Sequence, residues 1–145
     1  MTAPATIHAS AARVGTRGVL IRGASGSGKS SLLLSLVVGG GDAMLIADDR
    51  VVLAAKGGRL VAAVPEAIAG RMEVRGVGIV RRPHVSPAPI DLVVDLLPLA
   101  ECPRLPDADE RRTVIEGIAV ARIFVAVGAA DGPARVRAVL ATLCG

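Results

Sequence analysis

"GVLIRGASGSGKSSLLLSL", residues 18–36, decides how this chain is read. An apolar run meets a glycine- and serine-rich turn, and a leucine-rich run follows. Gly23, Gly28, Lys29 and Ser30 satisfy G-x-x-x-x-G-K-[ST], with a strand expected before the turn and a helix after it, the context that pattern needs. Glycine lets the backbone wrap closely around phosphate oxygens, so that several N–H groups converge on one anion. The helix adds its positive N-terminal end. Lys29 supplies a mobile cation to the outer phosphates, and the Ser30 hydroxyl suits Mg²⁺. Gly23, Ala24, Ser25, Gly26, Ser27, Gly28, Lys29 and Ser30 are thus the expected nucleotide-binding loop.

The flanking segments give the fold class. "ATIHASAARVG" (5–15) reads as one strand ending near Gly15, and "GVLIRG" as a short buried strand. The pattern is helical from Gly28 to about Val38, where Gly39–Gly41 stop it. "AMLIADD" (43–49) returns to a strand ending in two acids, Asp48 and Asp49. "VVLAA" and "RLVAAV" flank "KGG" (56–58) as a hairpin. Beyond Pro65, short turns surround a strand near Met72–Arg75; "PIDLVVDLLP" (89–98) is a strong strand, and 99–113 a polar surface loop that carries Arg104. "TVIEGIAVARIFVAV" (113–127) gives two strands joined near Glu116 and Gly117, and a helix with apolar Val136, Val139, Leu140 and Leu143 closes the chain. Two main helices are too few for a regular doubly wound sheet, so a mixed-sheet α/β domain is expected.

Composition narrows the class further. The 145 residues are read as one domain, 1–145, and the 52% apolar content is aliphatic, Phe124 being the sole aromatic residue. No apolar stretch approaches the roughly 18 residues of a membrane span, and the opening residues lack a leader pattern, so a cytoplasmic protein without a membrane partner is expected. A net charge of +4 comes from basic residues scattered among acids, with no aromatic platform for bases, which argues against a nucleic-acid partner. Cys102 and Cys144 share no ligand spacing and read as free thiols. His84 reads as a loop residue.

The acid pair completes a phosphate site. A strand-terminal acid commonly orients Mg²⁺ or its water, and an adjacent acid accepts a proton. Two successive carboxylates point to opposite faces if the strand continues, so each has its own task.

His8 lies 21 residues before Lys29; "ADDRV" (47–51) follows the helix, "EVRGVGIV" (73–80) follows the hairpin, and "IDLVVDL" leads to "PRLP" around Arg104. This series resembles the catalytic domain of the bacterial HPr kinase/phosphorylase family over nearly the whole chain, from His8 to Leu143. Glu73–Ile79 fit the family signature, close to E-[IV]-R-G-[LV]-G-I. The resemblance implies a fold like that of phosphoenolpyruvate carboxykinase. It also implies an ATP- and Mg²⁺-dependent protein-serine kinase acting on HPr or an HPr-like protein of the sugar phosphotransferase system. His8, Lys29, the Asp48/Asp49 pair and Arg104 fall on catalytic positions, and Ser30 and Glu73 on the Mg²⁺ positions. The proton-transferring aspartate aligns with Asp49, and Asp48 stays open because the linker after the helix is longer here. Taken alone, His8 and Arg104 would read as ordinary strand-end and surface residues.

Two departures shape the expectation. The N-terminal domain of long family members has no counterpart before His8, as in the short forms of alphaproteobacteria. The late "RPGRN"-like loop reads "VGAADGPARV" (127–136), with Arg135 as its one nearby cation. That loop is tied to phosphorolysis in the family, so a kinase with weak or absent phosphorylase activity is expected. The family also implies a homo-oligomer, a hexamer. The competing reading is a nucleotide- or phosphate-binding regulator that signals through a partner without phosphotransfer. ATP or pyrophosphate as donor, and the partner's serine, stay open.

Overall fold

The computed structural model describes residues 6–143. In chain order the elements are β1 (Thr6–Ile7), β2 (Ser10–Val14), β3 (Arg17–Gly23), α1 (Lys29–Gly39), β4 (Ala43–Ala47), β5 (Val51–Lys56) and β6 (Arg59–Ala63). Then come β7 (Arg71–Val74), β8 (Gly78–Arg81), β9 (Ala88–Pro89), β10 (Leu92–Leu97), β11 (Arg112–Ile115), β12 (Ile118–Ala126) and α2 (Gly132–Leu140). Six strands form the main sheet in the order β11-β12-β10-β3-β2-β4. β10 runs parallel to both β3 and β12, whereas β2 is antiparallel to β3 and β4, and β11 to β12. The sheet is therefore mixed, as expected. A four-stranded antiparallel sheet, β1-β5-β6-β9, and the β7–β8 hairpin complete the fold.

The main sheet is buried on both faces, which explains why its strands read as unbroken apolar runs. Val19 and Ile21 of β3, with Leu92, Val94 and Leu96 of β10, pack against Leu32, Leu33, Leu36 and Val37 of α1 and Val136 and Leu140 of α2. Leu20 and Val93, one residue out of phase, join Val51, Leu60, Ala62 and Ala88 of the smaller sheet. Helices, main sheet and small sheet thus make three layers. Each fully buried leucine or valine in them contributes about 1.5–3 kcal/mol. No helix among the described residues is long and apolar enough to cross a membrane.

Four sequence expectations change in detail. The first strand splits into β1 and β2 around His8–Ala9, because the chain leaves the small sheet there and enters the main one. β4 stops at Ala47, so the two acids lie beyond it in a turn rather than within the strand. The segment after Pro65 holds a second strand, β8, paired with β7 from Arg71↔Arg81 to Val74↔Gly78. His84 bridges Leu45 in parallel register, which ties its loop to the middle of β4. Cys102 is a free, half-buried thiol, and Cys144 lies outside the described residues.

Candidate active site

The phosphate loop is shaped by its glycines. A side chain at Gly23 would bring a Cβ within 2.5 Å of Ser27 Oγ and 3.1 Å of the Leu96 Cβ, so only glycine lets the loop close over the end of β10. Gly26 and Gly28 sit at φ 79° and 94°, the left-handed region that other residues avoid. Gly28 caps α1, and neither a capping side chain nor an acid occupies the first turn, so the N–H groups there are left for an anion. Lys29 is only 6% exposed. Its Nζ donates to the carbonyls of Gly23 at 2.9 Å and Ala24 at 3.0 Å, which seats the ammonium inside the loop.

Asp48 and Asp49, although adjacent, live in different environments. Asp48 is 6% exposed and accepts three hydrogen bonds. Ser10 Oγ and Ser30 Oγ each donate to its Oδ1 at 3.2 Å, and the Glu73 backbone N–H donates to its Oδ2 at 3.0 Å. Donors on both oxygens tie this carboxylate into the protein's own hydrogen-bond network. Asp49 has a side chain 61% exposed, and His8 Nε2 donates to its Oδ1. Its backbone stands at φ 72°, unusual for a residue with a side chain and costing on the order of 1 kcal/mol. That left-handed turn sends the second carboxylate away from the first, so the separation expected from strand alternation is produced by a turn instead.

Ser10 joins the two acids. It is fully buried, donates to Asp48, and accepts from the Asp49 N–H at 3.1 Å. One hydroxyl thereby fixes the side chain of the first acid and the backbone of the second. Sequence reasoning missed Ser10 because nothing local distinguishes it; its partners lie 38 and 39 positions away.

An open cleft of about 690 Å³ gathers these groups. His8, Lys29, Ser30, Asp49, Glu73 and Arg75 line it, with Gly26 and Gly28 of the loop. Glu73 and Arg75 arrive on the β7–β8 hairpin, whose tight turn uses Gly76 and Gly78 at φ 81° and 117°. Arg75, within the "EVRGVGI" stretch but not singled out there, is the guanidinium that this cleft contains. Arg104 is exposed on the connection between β10 and β11 and is not among the cleft-lining residues.

Ser30 and Glu73 offer hard oxygen donors in the cleft, and among the described residues no cluster of three or more His, Cys, Asp or Glu forms a ready-made metal cage. That set fits Mg²⁺, which keeps several waters and takes phosphate oxygens beside one or two carboxylates.

Comparison with known proteins agrees with this architecture. The structure of the Hpr(Ser) kinase/phosphatase from Coxiella burnetii superposes with a TM-score of 0.80 at 26% identity, covering 95% of each chain. The HPr kinase/phosphorylase of Limosilactobacillus reuteri is 38% identical over 121 residues, 76% of this chain and 37% of that protein. Those of Mycoplasma mycoides and Brevibacillus brevis are 33% identical over 101 residues and 45% over 76, covering 65% and 52% of this chain and 32% and 24% of theirs. The chain thus spans between 24% and 37% of these three curated relatives. The family model described as the HPr Serine kinase C-terminal domain matches residues 1–141, and the chain belongs to that family.

Proposed function

We propose that this chain transfers the γ-phosphoryl group of ATP to a serine hydroxyl of HPr or an HPr-like protein, with Mg²⁺ as cofactor. The observation that carries the reading is the division of labour between the two acids beside a phosphate loop. Asp48 is buried and saturated, whereas Asp49 faces the cleft with His8 on one oxygen.

In the forward reaction the loop amides and Lys29 hold the triphosphate, Lys29 exchanging its two carbonyl partners for phosphate oxygens. The acceptor oxygen bonds to the γ-phosphorus, the bond to the β–γ bridging oxygen breaks, and ADP leaves. The hydroxyl proton passes to Asp49 Oδ2, and His8 on Oδ1 holds the carboxylate in place. Bound Mg²⁺ would be held by Ser30 and Glu73 and would neutralise charge on the phosphates. Arg75 supplies a cation from the hairpin; the assignment of Arg104 rests on family resemblance alone.

The reverse reaction, attack by inorganic phosphate on the phosphoserine, needs a second anion held in place. The late loop offers Arg135, which is committed to Asp131 at 2.8 Å. That hydrogen bond holds the Asp131 carboxyl below its usual range. Phosphorolysis is accordingly weak or lost in this reading.

The decisive experiment incubates the protein with ATP, Mg²⁺ and purified HPr-like proteins and follows the partner by mass spectrometry. A gain of one phosphate is expected, abolished by Lys29→Ala and by Asp49→Asn. ATP binding without transfer to any candidate would favour the regulator instead. Release of pyrophosphate on adding phosphate to the modified partner, at a rate comparable to the forward reaction, would reject the loss of phosphorolysis.

A further inference from the structure

The β7–β8 hairpin carries positive charge on its outer face that the cleft beside it does not use. Arg71 and Arg81 are paired directly across the two strands, and both are exposed. At the neighbouring position the Arg82 N–H donates to the Gly70 carbonyl at 2.8 Å. Hydrogen-bonded and non-hydrogen-bonded pairs alternate, so Arg71 and Arg81 form the closer-spaced, non-hydrogen-bonded kind, with Cα atoms about 4.5 Å apart. Like charges directly opposite each other destabilise a hairpin. Among the described residues, neither guanidinium has an ion-pair or hydrogen-bond partner to offset that repulsion. On the same face, one pair nearer the turn, stand Glu73 and Ile79. Arg75 and Val77 occupy the turn itself, and Val77 and Ile79 are 73% and 64% exposed.

We infer that this face receives the acceptor protein, and that the acceptor presents an acidic surface beside its serine. The inference rests on the phosphotransfer reading above and gives the partner a chemistry. Glu73, Arg75 and Val77 line the cleft, whereas Arg71, Ile79 and Arg81 lie outside its lining. A nucleotide seated on the phosphate loop therefore leaves the Arg71–Arg81 pair without a counter-charge. A serine that enters the cleft brings its own protein onto the rim, and the hairpin is that rim beside Glu73. Guanidinium groups around exposed aliphatic side chains match the usual anatomy of a protein interface, an apolar centre within a polar border rich in arginine. Carboxylates on the partner would pair with the arginines through two hydrogen bonds each and remove the repulsion that the free hairpin bears. The fold itself gives no reason for two arginines at this pair, since both side chains point away from the core around Met72.

The test uses an HPr-like protein that the wild type phosphorylates, and compares steady-state kinetics of the wild type, Arg81→Glu and Ile79→Ser at low and high salt. Arg81→Glu turns a repulsive cross-strand pair into an attractive one, so its melting temperature should equal or exceed that of the wild type. The expected result is an acceptor KM raised about tenfold or more in Arg81→Glu, with kcat and the nucleotide KM within about twofold of the wild type. Salt should raise the acceptor KM of the wild type and leave that of Arg81→Glu nearly unchanged. Ile79→Ser should raise the acceptor KM a few-fold. Exchanging an acid beside the acceptor's serine for lysine should weaken the wild type and partly rescue Arg81→Glu. An unchanged acceptor KM in Arg81→Glu overturns the docking face. A fall in kcat or nucleotide affinity with the acceptor KM unaltered also overturns it, by placing Arg81 in the chemistry instead. Loss of self-association by sedimentation, again with the acceptor KM unaltered, assigns the face to a second copy of the chain and overturns it too. Absence of transfer from the wild type to any HPr-like protein overturns the kinase reading, and the inference with it; transfer that ignores Arg81→Glu overturns the inference alone.

Discussion

Asp48 and Asp49 differ by one position in sequence and by nearly everything in environment, so their amide variants must fail in different ways. Asn at 48 would replace one acceptor oxygen by an NH₂ where two serine hydroxyls and a backbone N–H now donate. The expected cost is about 1–3 kcal/mol of stability, read as a lower urea midpoint. Asn at 49 faces solvent and keeps an acceptor for His8, so the midpoint stays while transfer falls by about 10²–10⁴-fold. An unchanged transfer rate in Asp49→Asn would exclude Asp49 as the proton acceptor. Ser10→Ala is the companion variant. It removes one donor from Asp48 and strands the Asp49 N–H, so both stability and transfer should decline, while tripolyphosphate binding at the loop is retained. Restoring the hydroxyl with Ser10→Thr should recover part of the transfer rate, which a packing defect alone would not explain.

At the scale of elements, the helix that carries the loop is fastened at its far end by another helix. Arg137 of α2 donates to the Leu36 carbonyl at 3.3 Å and to Asp42 at 3.0 Å, satisfying a carbonyl that α1 cannot satisfy itself. The pair is partly exposed, so Arg137→Ala should cost only about 0.5–1 kcal/mol. In a chain of this size that lowers the melting temperature by about 1–4 °C. Nucleotide affinity should not change, because the binding end of α1 is made by Gly26, Gly28 and Lys29. Elements of this kind also show what a sequence can disclose. β3 and β10 are legible because burial on both faces leaves continuous apolar runs, and the phosphate loop is legible because its glycine positions are fixed by local backbone geometry. The break between β1 and β2 is not, since it is set by which sheet the chain joins. Arg104 is assigned a role by resemblance and lies outside the lining of the cleft, whereas Arg75, whose place depends on the β7–β8 turn, lines it. Comparing Arg75→Ala with Arg104→Ala at saturating nucleotide separates the two arginines, with the larger loss of transfer expected at Arg75.

At the scale of the whole molecule, the site lies on the seam between the two larger sheets. His8 stands where the chain passes from β1 in the small sheet to β2 in the main one, and Asp49 where it passes from β4 back to β5. The phosphate loop, by contrast, hangs from β3 and α1 and owes nothing directly to the small sheet. Loosening the small sheet should therefore damage proton transfer more than nucleotide binding. Val51 is the place to do it: fully buried, it pairs with Ile7 in the β1–β5 register, beside His8 and two residues from Asp49. Val51→Ala removes two methyl groups from a packed layer, at about 1–3 kcal/mol. The expected result is a lower kcat with an almost unchanged nucleotide KM, because a small displacement of His8 against Asp49 misplaces the base while the loop stays intact. Leu33→Ala, under the loop on the opposite face, supplies the contrast, with a greater stability loss of about 2–5 kcal/mol and weaker nucleotide binding. Equal effects of the two variants on kcat and KM would mean that the layers move as one body and that the seam gives the acid pair no separate support.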